Sequence, residues 1–193
     1  MIEYLAKASH VERNNALRSD VRIATAIHES GHAVMGRLHG IHRPILLPGL
    51  QMRNGVLDIA VPAAVMITGA SRLTQEALTD VCFGGYCGEL ALYDEQVART
   101  SGFWVNAERA ANDMIGFLQY AREIPNAASL LQRLQDKRER RSTVRELYKK
   151  YGQNTYTKIL EHRPQLIGMA QQVYDFWKVN KFQKCDWSQD ANA

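Results

Sequence analysis

One short stretch restricts this chain more than any other: His28-Glu29-Ser30-Gly31-His32, an HExxH motif set inside a run with helical periodicity. Residues 21–39 space Ile23, Ile27, Val34 and Leu38 by four and seven positions, with Asp20 able to cap the start and Gly40 able to end the helix. Residues four apart on a helix lie one turn above each other, so both imidazoles can converge on one metal ion. Glu29 then stands beside the ion without being forced to ligate it, placed to take a proton from water and pass it to a leaving amine. Zinc suits such a pair, because it accepts imidazole in a tetrahedral site and lowers the pKa of its water towards roughly 7. Apolar Ile27, Ala33 and Val34 can form the dry wall of a cleft, and Gly31 leaves room for close approach.

The rest of the chain reads as mostly helical. After the motif helix, Asn54-Gly55 lies between short β-compatible runs and predicts a small two-stranded hairpin. Helical patterns return over residues 73–92, around Phe83-Gly84-Gly85, and over 107–120, then in two or three amphipathic segments across 127–150 and 154–179. With no internal repeat and no low-complexity linker, the expectation is one compact, mainly α domain over 1–193. Its core should run from about 20 to 180, between frayed termini.

Composition narrows the setting. A hydrophobic share of 46% and a charged share of 23% are those of a globular protein, and no apolar run approaches the roughly 20 residues of a membrane span. The opening MIEYLAKASHVERNN lacks the basic and apolar regions of a signal peptide, which favours a cytoplasmic location. Cys82, Cys87 and Cys185 have no metal-knuckle spacing and read as reduced thiols, with Cys87 a packing residue. Much of the +4 net charge sits between Arg133 and Arg145; with no interleaved aromatics, that segment reads as a solvated helix face, and no nucleic-acid partner is expected.

Beyond the motif, IATAIHESGHAVMGRLHG resembles the IAxHExGHA helix in the peptidase domain of FtsH-type ATP-dependent zinc proteases. LTQEALTDVCFGGYCGELAL is similar to that family's GGRxAEE helix through Gly84, Gly85 and Glu89, with Tyr86 where the family has a basic residue. TSGFWVNAERAA occupies the place of its TTGAxNDLxxAT segment through Thr100, Gly102 and Ala110. YTKILEHRPQLIGMAQQVYDFW resembles the closing helices through Ile159, Leu160, Arg163 and Leu166, so the likeness spans roughly 22 to 178. The family's phosphate-binding pattern GxxxxGK[ST] does not occur in these 193 residues, nor do its membrane anchors.

The resemblance implies a third zinc ligand and a supporting carboxylate. Ungapped alignment puts Asn106 at the family's aspartate position, which makes it the first candidate. Asp113, seven residues on and hence on nearly the same helix face, is the alternative with the better chemistry; Glu108, rotated about 200° from Asn106, comes third. Glu89 would lie near the zinc helix and hydrogen-bond the far nitrogen of a ligand imidazole, or else form an ordinary ion pair. His10, His39, His42 and His162 are not expected to ligate, and Trp104, Trp177 and Trp187 read as core or interface anchors. The expected activity is hydrolysis of peptide bonds in unfolded or flexible protein segments, independent of ATP, with Glu29 as base. The alternatives are a catalytically silent interaction module, for which Asn106 would speak, and a regulatory protease with one protein substrate. A homo-oligomer or a separate ATPase partner is compatible with the resemblance.

Overall fold

The computed structural model describes residues 1–41, 45–53, 56–66, 73–93, 107–179 and 185–186. It is mainly helical. Nine α-helices are described: α1 (Ile2–Leu5), α2 (His10–Ser19), α3 (Val21–Leu38), α4 (Gln75–Tyr93), α5 (Ala107–Tyr120), α6 (Ala127–Gln135), α7 (Arg140–Leu147), α8 (Gln153–Glu161) and α9 (Arg163–Val179). A π-helical turn, Tyr148–Gly152, joins α7 to α8.

The motif helix α3 is the centre of the molecule. Its N-terminus is capped by the Asp20 carboxylate, which accepts from the Arg22 backbone N–H at 3.0 Å and from the Tyr174 hydroxyl of α9 at 3.1 Å. Its end is a Schellman turn: Gly40 takes a φ of 79°, and the N–H groups of Gly40 and Ile41 bond back to the carbonyls of Arg37 and Gly36. Between these caps, every residue from Ile23 to Gly36 is buried. A helix covered all round cannot be read from a one-sided apolar stripe, and here α4 and α9 supply much of the cover.

Glycine sets how closely α3 and α4 approach. A Cβ on Gly31 would collide with the Gly84 carbonyl oxygen, and one on Gly84 would stand 2.6 Å from the Gly31 carbonyl oxygen. The two helices therefore touch backbone to backbone at the middle of the HExxH motif. Around this seam lies one cluster of buried side chains, including Phe83, Phe117, Met114, Leu147, Ile159 and Val173. The Phe83 and Phe117 rings meet edge to face at 5.3 Å.

The core reaches nearer the N-terminus than the expected start at about residue 20. Ile2 and Leu5 are fully buried, and the Gln171 side-chain oxygen of α9 accepts from the Ile2 N–H at 2.7 Å, anchoring α1. After α3, β1 (Ile45–Arg53) pairs antiparallel with β2 (Val56–Met66), from Ile45 opposite Met66 to Arg53 opposite Val56. The ladder breaks between Leu47 and Gly49, at Pro48, which has no N–H to donate. Asn54 and Gly55, where the turn is expected, lie outside the described residues. A short β3 (Cys185–Asp186) pairs with the start of β1. Among the described residues, no helix is long and apolar enough to cross a membrane.

Candidate metal centre

His28 and His32 project from one face of α3 towards α4 and α5, and their outer nitrogens are committed to other groups. His28 Nδ1 lies 2.7 Å from Glu89 Oε1 on α4, and His32 Nδ1 lies 2.6 Å from the Val81 carbonyl oxygen, two turns earlier on the same helix as Glu89. Both acceptors fix the tautomer: Nδ1 donates, and Nε2 is left facing inwards. Glu89 is thus the carboxylate behind the His28 ring.

The third member of the group is Asp113. Its Oδ2 is 2.9 Å from His28 Nε2 and 3.5 Å from His32 Nε2. The three ligand atoms lie within 4.8 Å of one another, an arrangement that could hold a metal ion. The first candidate, Asn106, lies outside the described residues. Glu108 is not at the site, since its side chain is 74% exposed and pairs with Arg140 at 3.2 Å. Side-chain exposure rises from 2% at His28 to 9% at His32 and 23% at Asp113, so the group opens to solvent on the Asp113 side.

Gly85 of α4 faces the same space. A Cβ there would stand 2.5 Å from each of the two Nε2 atoms, inside the volume that the imidazoles enclose. The Gly84-Gly85 pair therefore does two jobs: Gly84 admits the α3 backbone, and Gly85 keeps the ligand pocket open.

The close packing of these ionisable groups sets their charges. Burial alone would lower the His28 pKa, but the Asp113 charge and the hydrogen bonds to Asp113 and Glu89 raise it to about 10. His32 is raised as well, Asp113 outweighing the opposing effect of burial. Burial pushes Asp113 upward, yet the neighbouring imidazolium charges hold it well below the usual carboxylate range. Glu29, 2% exposed, is pushed up by burial to about 7, with the charges of His28 and His32 opposing. A carboxyl group near neutrality can both accept and return a proton.

The remaining candidates fall elsewhere. His39 Nε2 bonds Asp80 at 2.7 Å, and His162 Nδ1 lies 2.9 Å from the Lys158 carbonyl oxygen. Tyr86 packs against Tyr148 at 5.1 Å, and Cys87 is buried beside the Gly152 carbonyl. Arg133 in the basic segment is paired with Glu139 at 3.0 Å and Glu146 at 2.9 Å. The side chains of His10 and Trp177 lie outside what is described, as do His42, Trp104 and Trp187. One contributor escaped the sequence reading: Arg109, 3% exposed on α5, whose Nε is 3.4 Å from Glu89 Oε1. Its signal was its place four residues before Asp113, on the same face of the helix. Compared with known proteins, the chain matches no family model, no curated protein and no solved structure.

Proposed function

We propose that this chain is a zinc-dependent peptidase of the HExxH type, with His28, His32 and Asp113 as ligands and Glu29 as general base. The reading is carried by the convergence of His28 Nε2, His32 Nε2 and Asp113 Oδ2 within 4.8 Å, with Glu29 next to the first ligand. Tetrahedral zinc with bonds of roughly 2.0–2.1 Å needs ligand atoms about 3.3 Å apart. The 2.9 and 3.5 Å from Asp113 Oδ2 to the two imidazoles bracket that spacing.

Charge balance supports a divalent ion. With neutral imidazoles, Glu89 and Asp113 bring two negative charges and Glu29, with its pKa near 7, part of a third, against the positive charge of Arg109 among the described residues. A divalent cation cancels the excess, whereas uncompensated buried carboxylates are costly. Zinc at this position would act as a Lewis acid and make water acidic enough to be deprotonated near neutral pH. Glu29 takes that proton and delivers it to the departing amine. Glu89 and the Val81 carbonyl keep both imidazoles in the ligating tautomer, and the solvent-facing Asp113 side leaves access for an extended segment of substrate.

The resemblance to FtsH-type peptidase domains aligns Asn106, not Asp113, with the family's aspartate, and Asp113 is preferred for its carboxylate and its place on nearly the same helix face. Seven residues are two helical turns, which preserves the face. Asp113 also supplies the carboxylate whose replacement by Asn106 would speak for a silent module.

Protein purified without chelator should contain about one zinc per chain by mass spectrometry, and His28→Ala or His32→Ala should empty it. Glu29→Gln should keep the metal and lose cleavage of casein, and ATP should change nothing. Wild type free of zinc after zinc loading, or a Glu29→Gln protein that still cleaves, would overturn the proposal.

A further inference from the structure

We infer that Arg109 is a positioning residue of this centre: it holds the Glu89 carboxylate against His28 and ties the helix that carries Asp113 to the helix that carries the histidines. The inference rests on the metal-site reading and deepens it. Arg109 is buried, and its guanidinium touches both neighbouring helices. Nη1 donates to Thr25 Oγ1 of α3 at 2.6 Å, one turn before His28, and Nε pairs with Glu89 Oε1 of α4 at 3.4 Å. That same Glu89 oxygen accepts from His28 Nδ1 at 2.7 Å.

A carboxylate that also lies against a buried guanidinium charge is held in place more firmly than one bonded to the imidazole alone, and Arg109 Nε stands 3.4 Å from Glu89 Oε1 as an ion pair. Arg109 thus fixes the rotation of the His28 ring through Glu89. Its second role follows from helix geometry. Arg109 and Asp113 are one turn apart on α5, so pinning the guanidinium between Thr25 and Glu89 also sets where Asp113 Oδ2 arrives between the imidazoles. One side chain orients the first ligand and registers the third.

The test separates this from bulk stabilisation and from simple charge. Zinc affinity is measured by competition with a chromophoric chelator for wild type, Arg109→Met, Arg109→Lys, Glu89→Gln and the Arg109→Met/Glu89→Gln double variant. Arg109→Met should weaken zinc about 10–100-fold, the range for lost outer partners of a ligand, and Arg109→Lys should weaken it less. Because Arg109 acts on His28 through Glu89 and on Asp113 through Thr25, the double variant should bind worse than Glu89→Gln alone but lose less than the product of the two single losses. The metal-free proteins are compared by NMR: wild type should show a slowly exchanging His28 Nδ1–H signal that Arg109→Met loses and Arg109→Lys exchanges faster.

Removing a positive charge should, on electrostatics alone, tighten a cation; unchanged or tighter zinc in Arg109→Met therefore overturns the inference. So do losses that multiply in the double variant. If Arg109→Met does not fold, Arg109→Lys decides, and wild-type affinity with an unchanged Nδ1–H signal overturns it. Should wild type bind no zinc at all, the metal reading fails, and the Nδ1–H comparison alone decides whether Arg109 positions His28.

Discussion

Asp113 Oδ2 lies within 2.9 Å of His28 Nε2 and 3.5 Å of His32 Nε2, and its charge raises the pKa of both imidazoles. Asp113→Asn keeps the shape but removes the charge, so zinc affinity should fall by more than the roughly 10–100-fold typical of an outer partner. Chelator competition measures it. The pH dependence has a definite sign. His28 rises from 6.5 in the unfolded chain to about 10 when folded, so its contribution is complete below pH 6.5 and fades as pH climbs through about 10. Asp113 is held below its ordinary 3.8, so its contribution is complete above that value and is lost in acid. Metal-free wild type should therefore hold its advantage over His28→Gln, read as a urea midpoint, from about pH 4 to 6.5 and lose it towards pH 10. On the proposed reading zinc would have to displace the His28 proton, so its affinity should rise with pH as that proton is lost.

The α3/α4 seam depends on the absence of two side chains. A Cβ at Gly31 would meet backbone, which can yield only if one helix moves as a whole. Gly31→Ala should cost about 3 kcal/mol or more, the upper range of overpacking in a core, and should widen the ligand group as well. Gly85→Ala differs: its Cβ meets the ends of two imidazoles, so loss of zinc should exceed loss of stability. Gly116, inside α5, has open space where a Cβ would point, with nothing within 4 Å. Gly116→Ala should instead stabilise by roughly 0.5–1 kcal/mol, the helix cost of glycine relative to alanine. Chemical denaturation of the three variants, with and without zinc, separates these outcomes.

At the scale of the molecule, α3, α4 and α8 are joined a second time, away from the ligands, by Asp80. Its carboxylate is 2% exposed and receives His39 at 2.7 Å, Lys158 at 2.5 Å and the Thr155 hydroxyl at 2.7 Å. Burial would raise the Asp80 pKa, but the hydrogen bonds from Lys158, Thr155 and His39 outweigh it and lower it. Asp80 stabilisation is thus present above its ordinary 3.8 and disappears as pH falls through the lower folded value. Removing Asp80 leaves the buried Thr155 hydroxyl without its acceptor while the partly exposed Lys158 keeps Glu76, so Asp80→Ala should lose about 1–3 kcal/mol near neutral pH. Its deficit against wild type should shrink in acid, as followed by thermal unfolding. A deficit independent of pH would assign the loss to packing.

What the sequence determined by itself is local. The HExxH spacing, the Asp20 cap, the Gly40 turn and the extents of α3 and α5 follow from periodicity and end signals within a few residues. Each of these is decided by backbone geometry that neighbours in sequence supply. The burial of Ile2 and Leu5 was not legible, because a four-residue helix has no period to read and owes its place to Gln171 of α9. Nor was the position of Asp113. Helical phase allowed Asn106 and Asp113 alike, being two turns apart, and only the height at which α5 packs on α4 brings Asp113 to the imidazoles. That height depends on contacts between residues tens of positions apart, such as Arg109 with Thr25 and Glu89. Sequence periodicity fixes the angle of a side chain around its own helix; the relative heights of packed helices are a property of the tertiary structure.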